Sequence, residues 1–264
     1  MEVYSIKPPL DIKDVAIKMY GFTFSKQKLS FYSVDYPDYP DEIEITIVHD
    51  DLTEENRAEI SNGIYIFLDN YLGELNVVTI IDKLNILGTN DAEKELIPIE
   101  KLKDYIIWRE KEFIEKYEGY RNDTINDIYS VLEATQENGK KLVATINTDL
   151  LDWERKASHP WILIINIKYK CDNPYGMPDN QTFKKLDNLE KEVLEQLKDS
   201  EGYLYIGRQT ADNLREVYFA CKDFRKPSKV AYHFQKAHES SEEITFEIFK
   251  DKYWISFERF ESKN

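Results

Sequence analysis

Residues 161–167 read Trp-Ile-Leu-Ile-Ile-Asn-Ile, and this run constrains the fold more than any other segment. It is far too short to span a bilayer, which takes about 20 residues. Its length and β-branched content fit a buried strand. Successive side chains of a strand point to opposite faces, so Trp161, Leu163, Ile165 and Ile167 fill one face and Ile162 and Ile164 the other. Residues 214–221 repeat the pattern, with Leu214, Tyr218 and Ala220 opposing Val217, Phe219 and Cys221. A sheet with one wet face shows clean apolar–polar alternation; here both faces must be covered. The N-terminal half, a hairpin, a second subunit or a partner could supply the cover. Cover from within the chain is expected, because monomers rarely expose large apolar patches.

The surrounding pattern is regular. A strand over 161–169 is followed by a turn-rich loop over 174–179. Phe183, Leu186, Glu190, Val193, Leu194 and Leu197 then fall at helical spacing. Strands over 203–209 and 214–221 flank Asp212-Asn213. A short helix from Pro227 uses Val230, Ala231 and Phe234. A last strand covers 244–249, and residues 253–260 extend or follow it. The order is β-α-β-β-α-β, a ferredoxin-like split βαβ. It places Cys171 and Cys221 at opposite ends of the sheet, too far apart for a disulfide.

The first half mixes strands and helices. Ile43, Ile45 and Ile47 alternate with Glu44 and Thr46 as a half-buried strand. Thr53 stands where an N-cap belongs, with Glu54 and Glu55 in the first turn. Ile60, Ile64, Phe67, Leu68 and Tyr71 mark a helix that ends at Gly73. A strand region follows over 77–87, and Pro98 opens a second long helix with Leu102, Ile106 and Phe113 inward. The polar stretch 118–123 marks a boundary. Asn138-Gly139 joins strands 128–135 and 141–147 into a hairpin. The expected fold is therefore α+β in two domains. Residues 1–122 form a mixed α/β domain with a small sheet and two long helices; residues 123–264 form a ferredoxin-like βαββαβ sandwich with a leading hairpin.

A chain of 264 residues accommodates two domains, and 42% hydrophobic residues suffice for their cores. The formal net charge is −15. Such a surface repels phosphate backbones and anionic lipid, and speeds encounter with a basic protein; simple solubility is the bland alternative. The N-terminal residues carry no secretory signal, and two cysteines suit a reducing compartment, so the cytoplasm is expected. Asn122-Asp-Thr124 and Asn180-Gln-Thr182 match glycosylation acceptors, a motif common by chance.

Three segments together carry a family resemblance. They are His-Pro-Trp-Ile-Leu-Ile-Ile-Asn-Ile-Lys-Tyr (159–169), Gly-Arg-Gln-Thr-Ala-Asp-Asn-Leu-Arg-Glu-Val-Tyr-Phe (207–219) and Asp-Lys-Tyr-Trp (251–254). With the strand at 138–147 they resemble the bacterial uncharacterised-domain family numbered 695 over about residues 127–261. A more distant likeness leads to the regulator of ribonuclease E activity B proteins, acidic ferredoxin-like proteins that bind and inhibit an RNA-degrading enzyme. The likeness implies a protein-binding regulator and transfers no catalytic residue.

Motifs of catalysis are absent: no Gly-rich phosphate loop, G-x-S-x-G, H-E-x-x-H or C-x-x-C occurs. His49-Asp50-Asp51 has the residue types of a divalent-metal site, but a polar strand-to-helix turn explains it more simply. His233 and His238 are off-register on a helix face, and His159 marks entry into a strand. Tyr203, Tyr205, Tyr218 and Phe219 with Arg208 and Arg215 have the residue types of an RNA-stacking sheet. Arg-Glu-Val-Tyr-Phe-Ala (215–220) lacks the expected glycine and carries an acid, so packing is favoured. Arg208 and Arg215 are placed to pair with Asp212 or a partner carboxylate, and Asp251 and Trp254 to anchor a turn. The expectation is a binding or regulatory protein that uses Tyr205, Arg208, Arg215, Tyr218, Asp251 and Trp254 toward a basic protein. No cofactor, nucleic acid or membrane is expected, and the state is monomer or weak dimer. The rivals are a metal-assisted hydrolase with a carboxylate site and an RNA-binding sheet.

Overall fold

A computed structural model describes residues 8–13, 15–119, 121, 123–171 and 173–261. Residues 1–7, where no secretory signal is read, lie outside them. So does Asn122, which opens an acceptor-like triplet and ends the first domain as read. The fold mixes α and β, and the chain divides into two compact units between Lys116 and Tyr117. No helix of the described residues is long and apolar enough to cross a membrane.

In the first unit, β1 (Ile17–Met19) and β2 (Phe22–Phe24) form an antiparallel pair. β3 (Leu29–Val34) pairs antiparallel with β4 (Glu44–His49). α1 (Arg57–Leu68) follows, then α2 (Glu74–Ile80). β5 (Lys83–Gly88) runs parallel to β4, and β6 (Ile97–Pro98) closes the order β5-β4-β3-β6. α3 (Leu102–Tyr117) follows, and the division falls at its last residue. Leu29, Phe31, Ile45 and Ile47 share one sheet face and pack with Ile60, Ile64, Phe67, Leu102 and Ile106 from the helices.

The segment 69–88 corrects the sequence reading. Helical structure does not end at Gly73, nor does a strand begin at Val77. A single π turn, Asp69–Gly73, leads into α2, and the strand is β5. Gly73 does break the first helix, with φ of +86°, a conformation glycine adopts freely. Val77, Val78 and Thr79 favour strands intrinsically, but Ile80 and Ile81 are buried in the core and Val77 packs against it. Tertiary packing overrides that weak preference.

Among its described residues the second unit holds six antiparallel strands. The hairpin β7 (Tyr129–Thr135) and β8 (Lys141–Asn147) comes first, followed by the short α4 (Thr148–Leu151). Then come β9 (Trp161–Lys168), α5 (Asn180–Gln196), β10 (Tyr203–Ala211), β11 (Leu214–Cys221), α6 (Arg225–His238) and β12 (Glu243–Lys250). The sheet order is β12-β9-β11-β10-β8-β7. Asp212 and Asn213, both with φ near +50 to +65°, make the tight turn between β10 and β11; both central residues at positive φ suit a hairpin's twist. Cys171 and Cys221 are free thiols. Cys221 sits opposite Trp161 at one end of β9 and Cys171 lies beyond Lys168 at the other.

Both sheet faces are indeed apolar and covered, and the cover comes from this unit itself. α5 and α6 bring Leu186, Val193, Ala231 and Phe234 onto Leu163, Ile165, Val217 and Phe219. On the other face Leu150, Leu151, Trp254, Phe257 and Phe260 cover Ile162, Ile164, Tyr218 and Ala220. Residues 253–260 therefore do not extend the last strand. Trp254 turns the chain at φ +57°, and a 3-10 turn, Ile255–Phe260, lays it back over the sheet. The Asp251 carboxylate accepts from the Ile255 and Ser256 amides at 3.0 and 2.9 Å, and Trp254 Nε1 donates to the His159 carbonyl at 2.9 Å.

One irregularity sets which side chains meet. The β10–β11 register shifts between Tyr205 and Gly207, a bulge. Gly207 has φ of +144°, and a Cβ there would stand 2.2 Å from the Thr145 carbonyl oxygen. Only glycine fits such a close backbone approach. In an unbroken strand residues 205 and 208 would face opposite sides; the extra residue puts both on the helix side. Replacing Trp254 with alanine is expected to uncover the second face and lower the unfolding free energy by about 3–5 kcal/mol, read from urea denaturation. A change under about 1 kcal/mol would show that the cap contributes little.

Candidate functional site

Glu190 lies among the apolar positions Leu186 and Val193 of α5 and is almost fully buried. A carboxylate persists there only where partners meet it. β10 and β11 supply them. Tyr205 Oη donates to Glu190 Oε1 at 2.5 Å. Arg208 Nη1 donates to Glu190 Oε2 at 3.0 Å and to Asp187 Oδ1 at 2.9 Å. Arg215 Nη1 donates to Asp187 Oδ1 at 2.8 Å and stands 3.5 Å from Glu190 Oε2, while its Nε donates to Thr210 Oγ1 at 3.2 Å. The Phe183 ring, one helical turn before Asp187, lies 5.6 and 5.0 Å from the two guanidinium carbons, a cation–π distance.

Two guanidiniums thus face two carboxylates and a phenol, and the charges balance within the cluster. Burial pushes the Tyr205 phenol far up, and the Glu190 carboxylate adds to it. Tyr205 therefore remains a protonated donor. Burial by itself lowers Arg208, but Glu190 and Asp187 outweigh it and the net shift is upward. Arg215 is 1% exposed; Arg208, Asp187, Phe183 and the half-buried Tyr205 bring the cluster partway to solvent. Chemically this is a clamp that fixes α5 on the sheet and offers solvent a narrow edge of both signs.

The six residues expected to meet a partner do not form one surface. Tyr205, Arg208 and Arg215 converge. Tyr218 packs on the opposite face, fully buried, donating to Glu216 Oε2 at 3.1 Å and accepting from Arg259 at 3.0 Å. It is not presented to a base or any other surface ligand. Asp251 and the buried Trp254 build the C-terminal turn. Pairing of the arginines with Asp212 is also corrected: Asp212 sits at the tip of the β10–β11 turn and pairs with Lys140.

His49 spends both ring nitrogens inside the fold. Nε2 is 3.1 Å from the Thr23 carbonyl and Nδ1 is 3.1 Å from the Asp51 amide. The amide donates, so Nδ1 accepts and Nε2 carries the proton. Asp51 pairs with Lys28 at 3.0 Å, and Asp50 lies 3.5 Å from the Thr89 hydroxyl. The strand-to-helix turn accounts for all three residues. Among the described residues, no group of three or more His, Cys, Asp or Glu is placed to hold a metal ion. His238 Nε2 lies 3.0 Å from Glu192.

His159 is more than a strand entrance. The Ser158 hydroxyl donates its one proton to the Arg155 carbonyl at 2.8 Å, so in the 2.8 Å contact with His159 Nδ1 the ring must donate. Nε2 is then a bare lone pair, buried without a hydrogen-bond partner. Burial, with help from Lys222 and Arg121, pushes the ring down to about 4. Asp187, Glu190 and His159 escaped sequence reasoning. Glu190 gave one usable signal, an acid on an otherwise apolar helical stripe. The bulge that brings Tyr205 and Arg208 to it gave none.

Glu190→Ala would leave the buried Arg215 and the half-buried Arg208 short of a counter-charge, and a loss of about 3 kcal/mol is expected in urea denaturation. A neutral result would show that Asp187 alone satisfies both. For His159 the unfolded ring takes a proton near pH 6.5 and the folded ring only near 4. Its contribution is therefore present above pH 6.5 and is lost as pH falls toward 4, by about 3 kcal/mol. His159→Gln should flatten that part of the stability–pH curve; equal slopes for both proteins would refute the assignment.

No curated protein and no solved structure matches the chain. The resemblance read from the sequence holds for the C-terminal half, where residues 133–260 match the model of a Family of unknown function (DUF695).

Proposed function

We propose that the chain is a non-catalytic binding or regulatory protein whose acidic surface meets a basic protein partner. The observation that carries this reading is the formal net charge of −15. A field of that sign accelerates encounter with basic proteins and discourages polyanions. The buried cluster supports it as well, because its four charged groups are spent on one another and its phenol is held protonated. The strand order β12-β9-β11-β10 with α5 and α6 supports reading this part as a ferredoxin-like sandwich. That supports the two-domain α+β description and the likeness to the regulator of ribonuclease E activity B proteins. On this reading the protein works in the bacterial cytoplasm as a monomer or weak dimer, as a nuclease regulator or an immunity-type protein against a basic toxin.

Affinity capture of the tagged full chain at low ionic strength tests the reading. A basic protein that is retained at about 50 mM salt and released at about 500 mM, where screening is strong, is the expected result. Recovery of the bait alone, or of a partner indifferent to salt, would overturn it.

A further inference from the structure

β7 is the outermost strand of the six-stranded sheet, and no strand among the described residues pairs with its free edge. The hairpin's hydrogen bonds fix which backbone groups face outward. Gln136 N donates to the Lys140 carbonyl at 2.9 Å, and Thr148 N donates to the Ile128 carbonyl at 3.0 Å. Both pairs share the register of the ladder, so even-numbered residues of β7 direct their N–H and C=O groups at β8. Tyr129, Val131, Glu133 and Thr135 direct theirs away from the sheet.

Exposed edges are ordinarily blunted by lysine, proline or a bulge. β7 reads Tyr-Ser-Val-Leu-Glu-Ala-Thr, and its register with β8 runs without interruption. The opposite edge, β12, carries Glu243, Glu247 and Lys250, with Lys168 paired to Glu243. A second observation points the same way. Ile125, Ile128 and Val131, on and just before β7, are 86%, 63% and 63% exposed. Val131 lies opposite Thr145, which lies opposite Arg208. It therefore shares the helix-side face, at a point where the hairpin leaves apolar surface open.

The charges around this edge have one prevailing sign. Asp123, Glu133 and Glu137 are exposed. Lys140 is paired with Asp212 and Arg121 with Asp127, which leaves Lys141 as the cation on the hairpin. An added strand would meet a carboxylate-lined backbone edge with the exposed Val131 on its helix-side face.

We propose that β7 is a docking edge for an extended, basic segment of a partner protein, which adds to the sheet as a seventh strand. The outward groups of Val131 and Glu133 supply main-chain hydrogen bonds; Val131 takes an aliphatic side chain, and Glu133, two residues on and on the same face, takes a lysine or arginine. The partner's charge rests on the functional reading above; the edge rests on the sheet. A second copy of this chain would bring another −15 and a like-charged edge.

The test uses the full chain and three synthetic capped octapeptides: a Lys-Val peptide of repeat Lys-Thr-Val-Thr, which sets lysine and valine on one face of a strand, a Glu-Val peptide with glutamate in place of lysine, and the Lys-Val peptide with N-methylated lysines and valines that cannot donate. The Lys-Val peptide is expected to bind saturably and more weakly as salt rises, and to slow hydrogen exchange at the amides of 131 and 133. The other two peptides should not bind. Val131→Pro removes only an outward donor and leaves the β8 ladder intact; it should weaken binding about tenfold, the scale of one lost main-chain bond with local strain. Glu133→Lys should weaken it comparably without touching the backbone. Equal affinity of wild type and both variants would overturn the edge while leaving a basic partner standing. Binding of the Glu-Val peptide at the same edge would overturn the basic chemistry and the functional reading with it. No binding by any peptide, or self-association abolished by Val131→Pro, would overturn the proposal outright.

Discussion

Burial of apolar side chains on both faces of β9 and β11 is the interaction on which the second unit depends. A sheet that is greasy on one side needs a single layer over it, and α5 and α6 provide that layer. Greasy on both sides, it needs another, and the chain makes it from pieces with little regular structure. α4 and the 3-10 turn at 255–260 deliver Leu150, Trp254, Phe257 and Phe260 to the second face. The Asp251 cap and the Trp254–His159 hydrogen bond hold that thin layer in place. The two short pieces succeed because aromatic side chains cover much area per residue.

The charged cluster follows from the same layering. Once α5 lies on the sheet, any polar group on its inner face has to be answered from β10 or β11, and Glu190 is answered three times over. The bulge at Gly207 is what makes that possible, since it rotates Tyr205 and Arg208 onto one face. A single glycine beside the Thr145 carbonyl thus fixes the electrostatics of a helix–sheet interface. Removing the glycine would disturb the ion pairs without touching a charged residue.

Much of this fold was legible because periodicity is local. The strands at 161–168, 203–211 and 214–221 and the hairpin at 129–147 follow from alternation and turn residues, and the double-sided pattern of β9 announced a second cover. The identity of that cover was not legible, because it depends on a left-handed Trp254 that no pattern encodes. α2 was missed because Val77, Val78 and Thr79 favour strands and only packing of Ile80 and Ile81 decides otherwise. At the candidate site, Tyr205, Arg208 and Arg215 were visible as a group. Of their partners, Glu190 showed only as an acid on an apolar stripe and Asp187 not at all, because they are two of fifty acidic residues and only the fold pairs them with the arginines. Tyr218 was singled out as one of a set of sheet aromatics, and the structure uses it as core; Trp254, read with Asp251 as a turn anchor, both turns the chain and fills the core.

The C-terminal cap also has a consequence in time. Residues 254–260 are synthesised after every strand of the sheet they cover. While the ribosome is still reading them, Ile162, Ile164, Tyr218 and Ala220 have only Leu150 and Leu151 to cover them. Non-local sheets already form slowly and are exposed to aggregation while they do. This one stays partly open on one side until its last turn clears the exit tunnel, so the nascent chain passes through a stage in which half of its sheet is finished on one face and only partly covered on the other.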